Sequence, residues 1–260
     1  MKTSWFEITP KTHPKLKHLW LGDEEQLQLH ASKLWIEAQR EESLTLLESL
    51  PDQGFGVIGT RVPNPRSLFH MRRIFERLTS RRSDAFQLTI LSGLARGVDA
   101  WAHEEALRAQ FPTIAILAHG LDTTYPPEHE SLRQRILENR GLMITEFPPG
   151  TLPSPKHFLR RNRWIASLSR ALWVAQAPYR SGALNTARWA RELDRTVFVT
   201  PSFPEDPDFS GSQRLLVDEE ALPLYEAYQL GSVWSPFASL PPLHRKRSPS
   251  APFHAPVPML

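Results

Sequence analysis

Residues 92–103 read SGLARGVDAWAH, and Gly93 and Gly97 flank Arg96 there. Glycine permits a tight turn and lets a ligand approach the backbone. Arginine adds a permanent charge and a planar donor fork suited to phosphate. At a helix start, these residues sit beside free backbone N–H groups and the positive end of the helix dipole. That is the chemistry of an anion site, with Ser92, Gly93, Arg96 and Gly97 as its candidates. Three more stretches follow the same logic. Gly59-Thr60-Arg61 offers Arg61 as the charge after an apolar run. Residues 156–163, KHFLRRNR, place Lys156, Arg161, Asn162 and Arg163 around Phe158. Cations interleaved with an aromatic suit a strand of nucleic acid, the charges following phosphates and the ring stacking a base. Ser181 and Gly182 open SGALNT, whose hydroxyls and amides can take a phosphate or cap a helix. Taken singly, each stretch reads equally as a plain strand-to-helix turn, a solvated basic loop or a helix cap.

The elements that must position these residues can be read from pattern. Short apolar runs at 55–58, 87–91, 113–117, 142–145, 171–175 and 196–200 are predicted strands, each bounded by turn residues. Helical spacing separates them, over about 63–80, 98–108, 128–139, 158–168 and from 181 onward, with a short helix at 212–217. Strands alternating with helices imply a doubly wound, mostly parallel, Rossmann-like sheet. Right-handed crossovers send every strand-to-helix loop to the carboxyl edge, where ligands bind at the reversal of strand order. Arg61, Arg96, Arg161 or Arg163, and Ser181 are thereby expected on one rim, away from the core. Asp99 and His103, four apart on a helix, could pair as acid and base. A hydrogen bond that holds the joint is the preferred expectation.

Residues 1–53 are expected to form a small, mainly helical extension. Residues 18–22 suggest a short strand, Leu27, Ala31, Leu34, Trp35 and Ala38 one helical face, and residues 42–50 a second helix. Residues 54–231 form the Rossmann-like domain. Residues 232–260 carry seven prolines in 29 positions and the basic run His244-Arg245-Lys246-Arg247, the composition of a disordered tail.

The whole chain has 260 residues, 40% hydrophobic and 23% charged, with net charge +3. That is enough to bury a core, and no run is long enough to span a membrane. Arginines outnumber lysines 24 to 7, which favours phosphate forks and base stacking, or reflects a GC-rich genome. The helix from Arg66 to Arg82 is read as a solvated basic face. No cysteine and no apolar leader fit the cytoplasm, and thiol chemistry and cysteine–zinc sites are excluded. There is no G-x-G-x-x-G, G-K-[ST], H-E-x-x-H or G-x-S-x-G motif, so no nucleotide cofactor, metal or hydrolase triad is expected.

Six motifs in order resemble the DNA-processing protein A family (DprA, also Smf). They are IGTR at 58–61, SGLARGVDAWAH at 92–103, GLDTTYP at 120–126, TEFPPGTLP at 145–153, FLRRNRWIA at 158–166 and SGALNTARWARE at 181–192. FEIT at 6–9, HPKL at 13–16 and LWLGD at 19–23 resemble the family's preceding segment more weakly. The resemblance implies a non-catalytic recombination mediator. Such a protein binds and protects single-stranded DNA, loads the recombinase RecA in natural transformation, and acts as a homodimer. It places Arg61, Arg96, Phe158, Arg161 and Arg163 in the DNA pocket, with Lys156 a looser match. The chain departs from the family at Gln176, Asp194 and Pro201-Ser202, and residues 232–260 replace its usual winged helix. Two rival readings are a nucleotide-sensing module and a nucleoside-monophosphate glycosidic hydrolase. The P-G-G-x-G-T run of the latter is missing.

Overall fold

The structure, a computed structural model, describes residues 3–9, 11–14, 16, 33–80 and 88–238. Among the described residues, nine strands form one sheet: β1 (Ser4–Ile8), β2 (Leu34–Ala38), β3 (Gly54–Gly59), β4 (Thr89–Ser92), β5 (Thr113–Ile116), β6 (Leu142–Thr145), β7 (Ala171–Gln176), β8 (Thr196–Val199) and β9 (Leu222–Pro223). Their order is β1-β2-β6-β5-β4-β3-β7-β8-β9. From β6 across to β9 every pairing is parallel, and β1 and β2 add antiparallel strands to the β6 edge. All six strands expected from the apolar runs form. The chain winds outward from β3 to β6, then returns to β7 beside β3. The strand order therefore reverses between β3 and β7.

Helices cover both faces. α1 (Pro65–Thr79), α2 (Val98–Arg108) and α3 (Glu130–Glu138) lie on one; α4 (Pro155–Leu168), α5 (Gly182–Glu192) and α6 (Ser210–Val217) lie on the other. Strand alternation divides the core between them. On β3, Phe55 and Val57 join the cluster under α1 and α2, while Ile58 joins the cluster under α4 and α5. α1 starts at Pro65 behind Asn64, whose side chain accepts from the Ser67 N–H. Its Met71, Ile74, Phe75 and Leu78, at helical spacing, are its buried stripe.

Three expectations are corrected. Leu34, Trp35 and Ala38 belong to a strand, not a helix. Leu34, Ile36 and Ala38 also fit a period of two, and pairing with β1 and β6 selects it. The expected helix at 42–50 is a 3-10 segment, Glu41–Ser49. The start of the presumed tail is ordered packing: α7 (Ser235–Ala238) carries Phe237, and Phe237 and Trp234 are buried against the core. Trp234 meets Phe55 edge-on at 5.5 Å, and its indole N–H donates to the Asp52 carbonyl at 2.7 Å. The strand expected at 18–22, residues 27–32 of the expected helix, Arg81, Arg82 and the 244–247 basic run lie outside the described residues. No helix among the described residues is long and apolar enough to cross a membrane.

Candidate nucleic-acid interface

A cleft of about 660 Å³ opens at the carboxyl ends of β3 and β7, where strand order reverses. The turn after β3 supplies Thr60 and Arg61. The loop into α4 and its first turns supply Ser154, Phe158, Arg161 and Asn162. The turn after β7 supplies Arg180, Ser181 and Gly182. Residues from separate joints thus meet at one edge.

Both glycines of the GLARG turn are needed for this convergence. Gly97 has φ +76°, and a Cβ on it would lie 2.4 Å from the Thr60 carbonyl oxygen and 2.5 Å from the Arg61 carbonyl carbon. The start of α2 can therefore press against the turn that presents Arg61, and Val98 N–H donates to Thr60 O at 3.0 Å. A Cβ on Gly93 would fall onto the guanidinium of Arg161.

Arg161 forms the floor. It is 4% exposed, so its guanidinium is committed to the protein. Nη1 donates to Gly93 O at 2.8 Å and Ile116 O at 2.5 Å, and Nε donates to Asn162 Oδ1 at 3.2 Å. Burial lowers its pKa, Asp99 opposes that, and Arg61 adds to it. Arg61 is exposed at the rim. Phe158 is close to both charges, 5.4 Å from the Arg61 guanidinium and 5.8 Å from that of Arg161. Tyr125 packs beside Phe158 at 5.8 Å between ring centres. Ser181 caps α5 by accepting from Ala183 N–H at 3.2 Å.

Six of the residues expected to bind DNA line this cleft: Arg61, Phe158, Arg161, Asn162, Ser181 and Gly182. The other six do not. Ser92 is buried in β4 and donates to Val57 O at 2.6 Å. Gly93 and Gly97 provide close packing beneath the cleft. Arg96 is exposed and donates to Glu128 at 2.5 Å. Lys156 is exposed in the first turn of α4, outside the cleft lining. Arg163, expected on the open rim, is 8% exposed and pairs with the buried Glu146 at 2.8 Å. Glu146 also takes Arg160 at 2.8 Å. One helical turn separates Phe158 from Asn162, so Arg163 points from a different face of α4. The expectation that Arg161 and Arg163 lie away from the core is overturned.

Asp99 and His103 do not pair with each other. Asp99 is buried yet lines the cleft, and burial raises its pKa against the charge of Arg161 and the backbone amides of Ala95 and Gly93. Asp99 thus serves the joint, in line with the preferred expectation. His103 instead meets Thr113 Oγ1 at 2.7 Å. That hydroxyl donates to Ile90 O at 2.9 Å, so it accepts from His103 Nδ1–H. Burial lowers the His103 pKa to about 3. Arg180, Tyr125 and Thr186 were not among the sequence candidates. Arg180 directly precedes the SGALNT motif and continues its turn, a signal available in the sequence. Tyr125 reads there only as part of a Pro turn.

A family model described as DNA recombination-mediator protein A matches residues 45–233. The chain belongs to that family. Protein Smf of Synechocystis sp. is 40% identical to it over 180 residues, which is 69% of this chain and 44% of that protein. The chain thus spans under half the length of that DprA-family relative. The crystal structure of DprA from Streptococcus pneumoniae superposes with a TM-score of 0.70 at 27% identity, covering 88% of this chain and 74% of that one. DprA from Helicobacter pylori, a structure described for its single-stranded DNA binding mode, gives 0.69 at 28% identity, covering 88% and 94%. The DprA resemblance carried by the motifs and the Rossmann-like fold expected from alternating strands and helices both hold.

Proposed function

We propose that this chain is a recombination mediator that binds single-stranded DNA in the β3–β7 cleft, protects it and hands it to RecA during natural transformation. The carrying observation is the convergence of Arg61, Arg161, Arg180, Ser181 and Phe158 on one cleft edge. Arg61 and Arg180 supply phosphate charge at the mouth. Phe158 and Tyr125 supply ring faces for unstacked bases. A duplex hides its base faces by stacking, so rings placed inside a cleft favour a single strand. Arg96 joins the path if phosphate replaces Glu128, an exchange that costs little at an exposed pair. Lys156 extends the charge along the outer turn of α4. Family membership and the single-stranded DNA binding mode described for the H. pylori relative support this reading. The proposed action has no catalytic step or cofactor, takes place in the cytoplasm, and engages a homodimer. Anisotropy titrations of labelled oligo(dT) and the corresponding duplex test it. Tighter single-strand binding, weakened in Arg61→Ala, is expected. Equal affinity for both forms, or no effect of Arg61→Ala, would overturn it. RecA capture by the strand-bound protein tests the hand-over.

A further inference from the structure

We propose that Glu37 and Arg133 are positioning residues for strand binding, holding the 121–124 loop so that Tyr125 stands beside Phe158 at the cleft. This rests on the single-strand reading above. Glu37 comes from β2, ahead of the residues that the family model matches, and Arg133 comes from α3. The two form an ion pair and are 5% and 7% exposed. Neither lines the cleft. Their reach into it runs through the chain between β5 and α3.

All five N–H donors of Arg133 are engaged. Nε donates to Glu37 Oε2 at 3.1 Å, and one Nη2 donor meets the same oxygen. The other Nη2 donor reaches Leu121 O at 2.5 Å. Nη1 donates to Thr123 O at 3.0 Å and to Thr124 Oγ1 at 2.7 Å. Both Glu37 oxygens are occupied, because Thr3 donates to Oε1 at 2.7 Å. A planar fork with every donor engaged fixes its geometry. Three loop groups are thus fastened just ahead of Tyr125. From the other side, Asp122 accepts from Gly150 N–H at 2.8 Å, and Gly120 N–H donates to Thr151 O at 2.9 Å.

Tyr125 follows directly. Its ring lines the cleft, 5.8 Å from that of Phe158. Its hydroxyl makes no hydrogen bond among the described residues, so the loop backbone sets where the ring stands. Stability alone does not call for this arrangement, since well-packed apolar residues often replace a buried ion pair without loss. What the pair adds is a fixed place for one loop. A ring that is free to wander binds more weakly, because association must then order it.

A double-mutant cycle on the full chain tests this, with labelled oligo(dT) of about 12 nucleotides as the probe. Glu37→Gln should weaken binding roughly five-fold and leave the salt slope unchanged. Tyr125→Ala alone should lose roughly ten-fold. In that background Glu37→Gln should change affinity less than about two-fold, while lowering the urea midpoint by the same amount in both backgrounds. The chain holds four tyrosines, so fluorotyrosine labelling gives four fluorine NMR signals, and Tyr125→Phe assigns one of them. That signal should broaden or split in Glu37→Gln without DNA. Thr124→Val removes one Arg133 contact and leaves no buried charge unpaired, so it should act in the same direction and serves if Glu37→Gln does not fold. Wild-type affinity in folded Glu37→Gln and Thr124→Val, or in Tyr125→Ala, overturns the proposal. So does an equal loss with and without Tyr125, which marks a purely structural role. Each of these leaves the single-strand reading standing. Failure of the unaltered chain to bind oligo(dT) overturns that reading, and the proposal with it.

Discussion

The Cβ that Gly93 lacks would stand 2.1 Å from Nη1 of Arg161. The glycine of one motif is thus the seat for the arginine of another, although 68 positions separate them in sequence. Gly93→Ala should displace the guanidinium and cost about 1–3 kcal/mol of stability, as overpacking in a filled site does. Single-strand affinity should fall with it. Urea unfolding and anisotropy on the same preparation measure both.

Arg161→Ala and Arg163→Ala should damage folding as well as binding. Removing Arg161 strips the donor from the Gly93 and Ile116 carbonyls, each at about 1–3 kcal/mol if left unpaired. Removing Arg163 takes one of two cations from the buried Glu146, which keeps Arg160, so the loss should be that of a charged hydrogen bond, about 1.5–3 kcal/mol. Denaturant midpoints shifted by less than those of Arg61→Ala would contradict this account.

Arg61→Ala should behave otherwise. Its side chain is exposed, so the melting temperature should stay put. The slope of log affinity against log salt should shrink by roughly 0.7, the value expected when a protein neutralises one phosphate fewer on a single strand. Phe158→Ala should instead weaken binding by about 1–3 kcal/mol with little change in slope. Titrations at several salt concentrations separate the two.

Trp234→Ala should destabilise the protein by about 3–5 kcal/mol, the usual cost of deleting a large buried aromatic. Trp234 packs on Phe55 and Phe237 and donates to Asp52 O. Truncation after position 231 should lower the melting temperature for the same reason. A melting curve indistinguishable from that of the intact chain would show that this packing contributes nothing.

Stability should fall in acid, beginning near pH 6.5. Burial lowers the pKa of His103 to about 3, and lowers those of His119 and His70 too. The unfolded chain then binds more protons than the native one, so stability drops as pH falls from the unfolded value towards 3. Asp99, raised by burial, acts in the opposite sense because its native form holds the proton more tightly. Urea midpoints measured from pH 7 to 4 should show the net loss. His103→Gln, whose amide can still donate to Thr113, should flatten that decline.

Much of the architecture was legible from local pattern. Apolar runs with turn residues on either side locate β3 to β8, and the crossover rule places Arg61 and Ser181 on one edge. What local pattern could not supply was the direction of neighbouring arginines on one helix. Arg161 and Arg163 are equivalent in type, and only the position of Glu146, on a loop beyond β6, sends Arg163 away from the cleft. β2 was missed because LWIEA fits both periodicities and its partners are distant in sequence. The docking of Trp234 was hidden by the prolines that follow it.

The sheet's far margin also limits how copies of this chain can associate. β9 is two residues long and ends in Pro223, which has no N–H to donate. It pairs with β8 and offers almost no backbone template for a further strand. A continuous sheet running from one copy into the next through that margin is therefore blocked. Association on that side must rely on side chains, and substitutions there could separate copies without altering any strand.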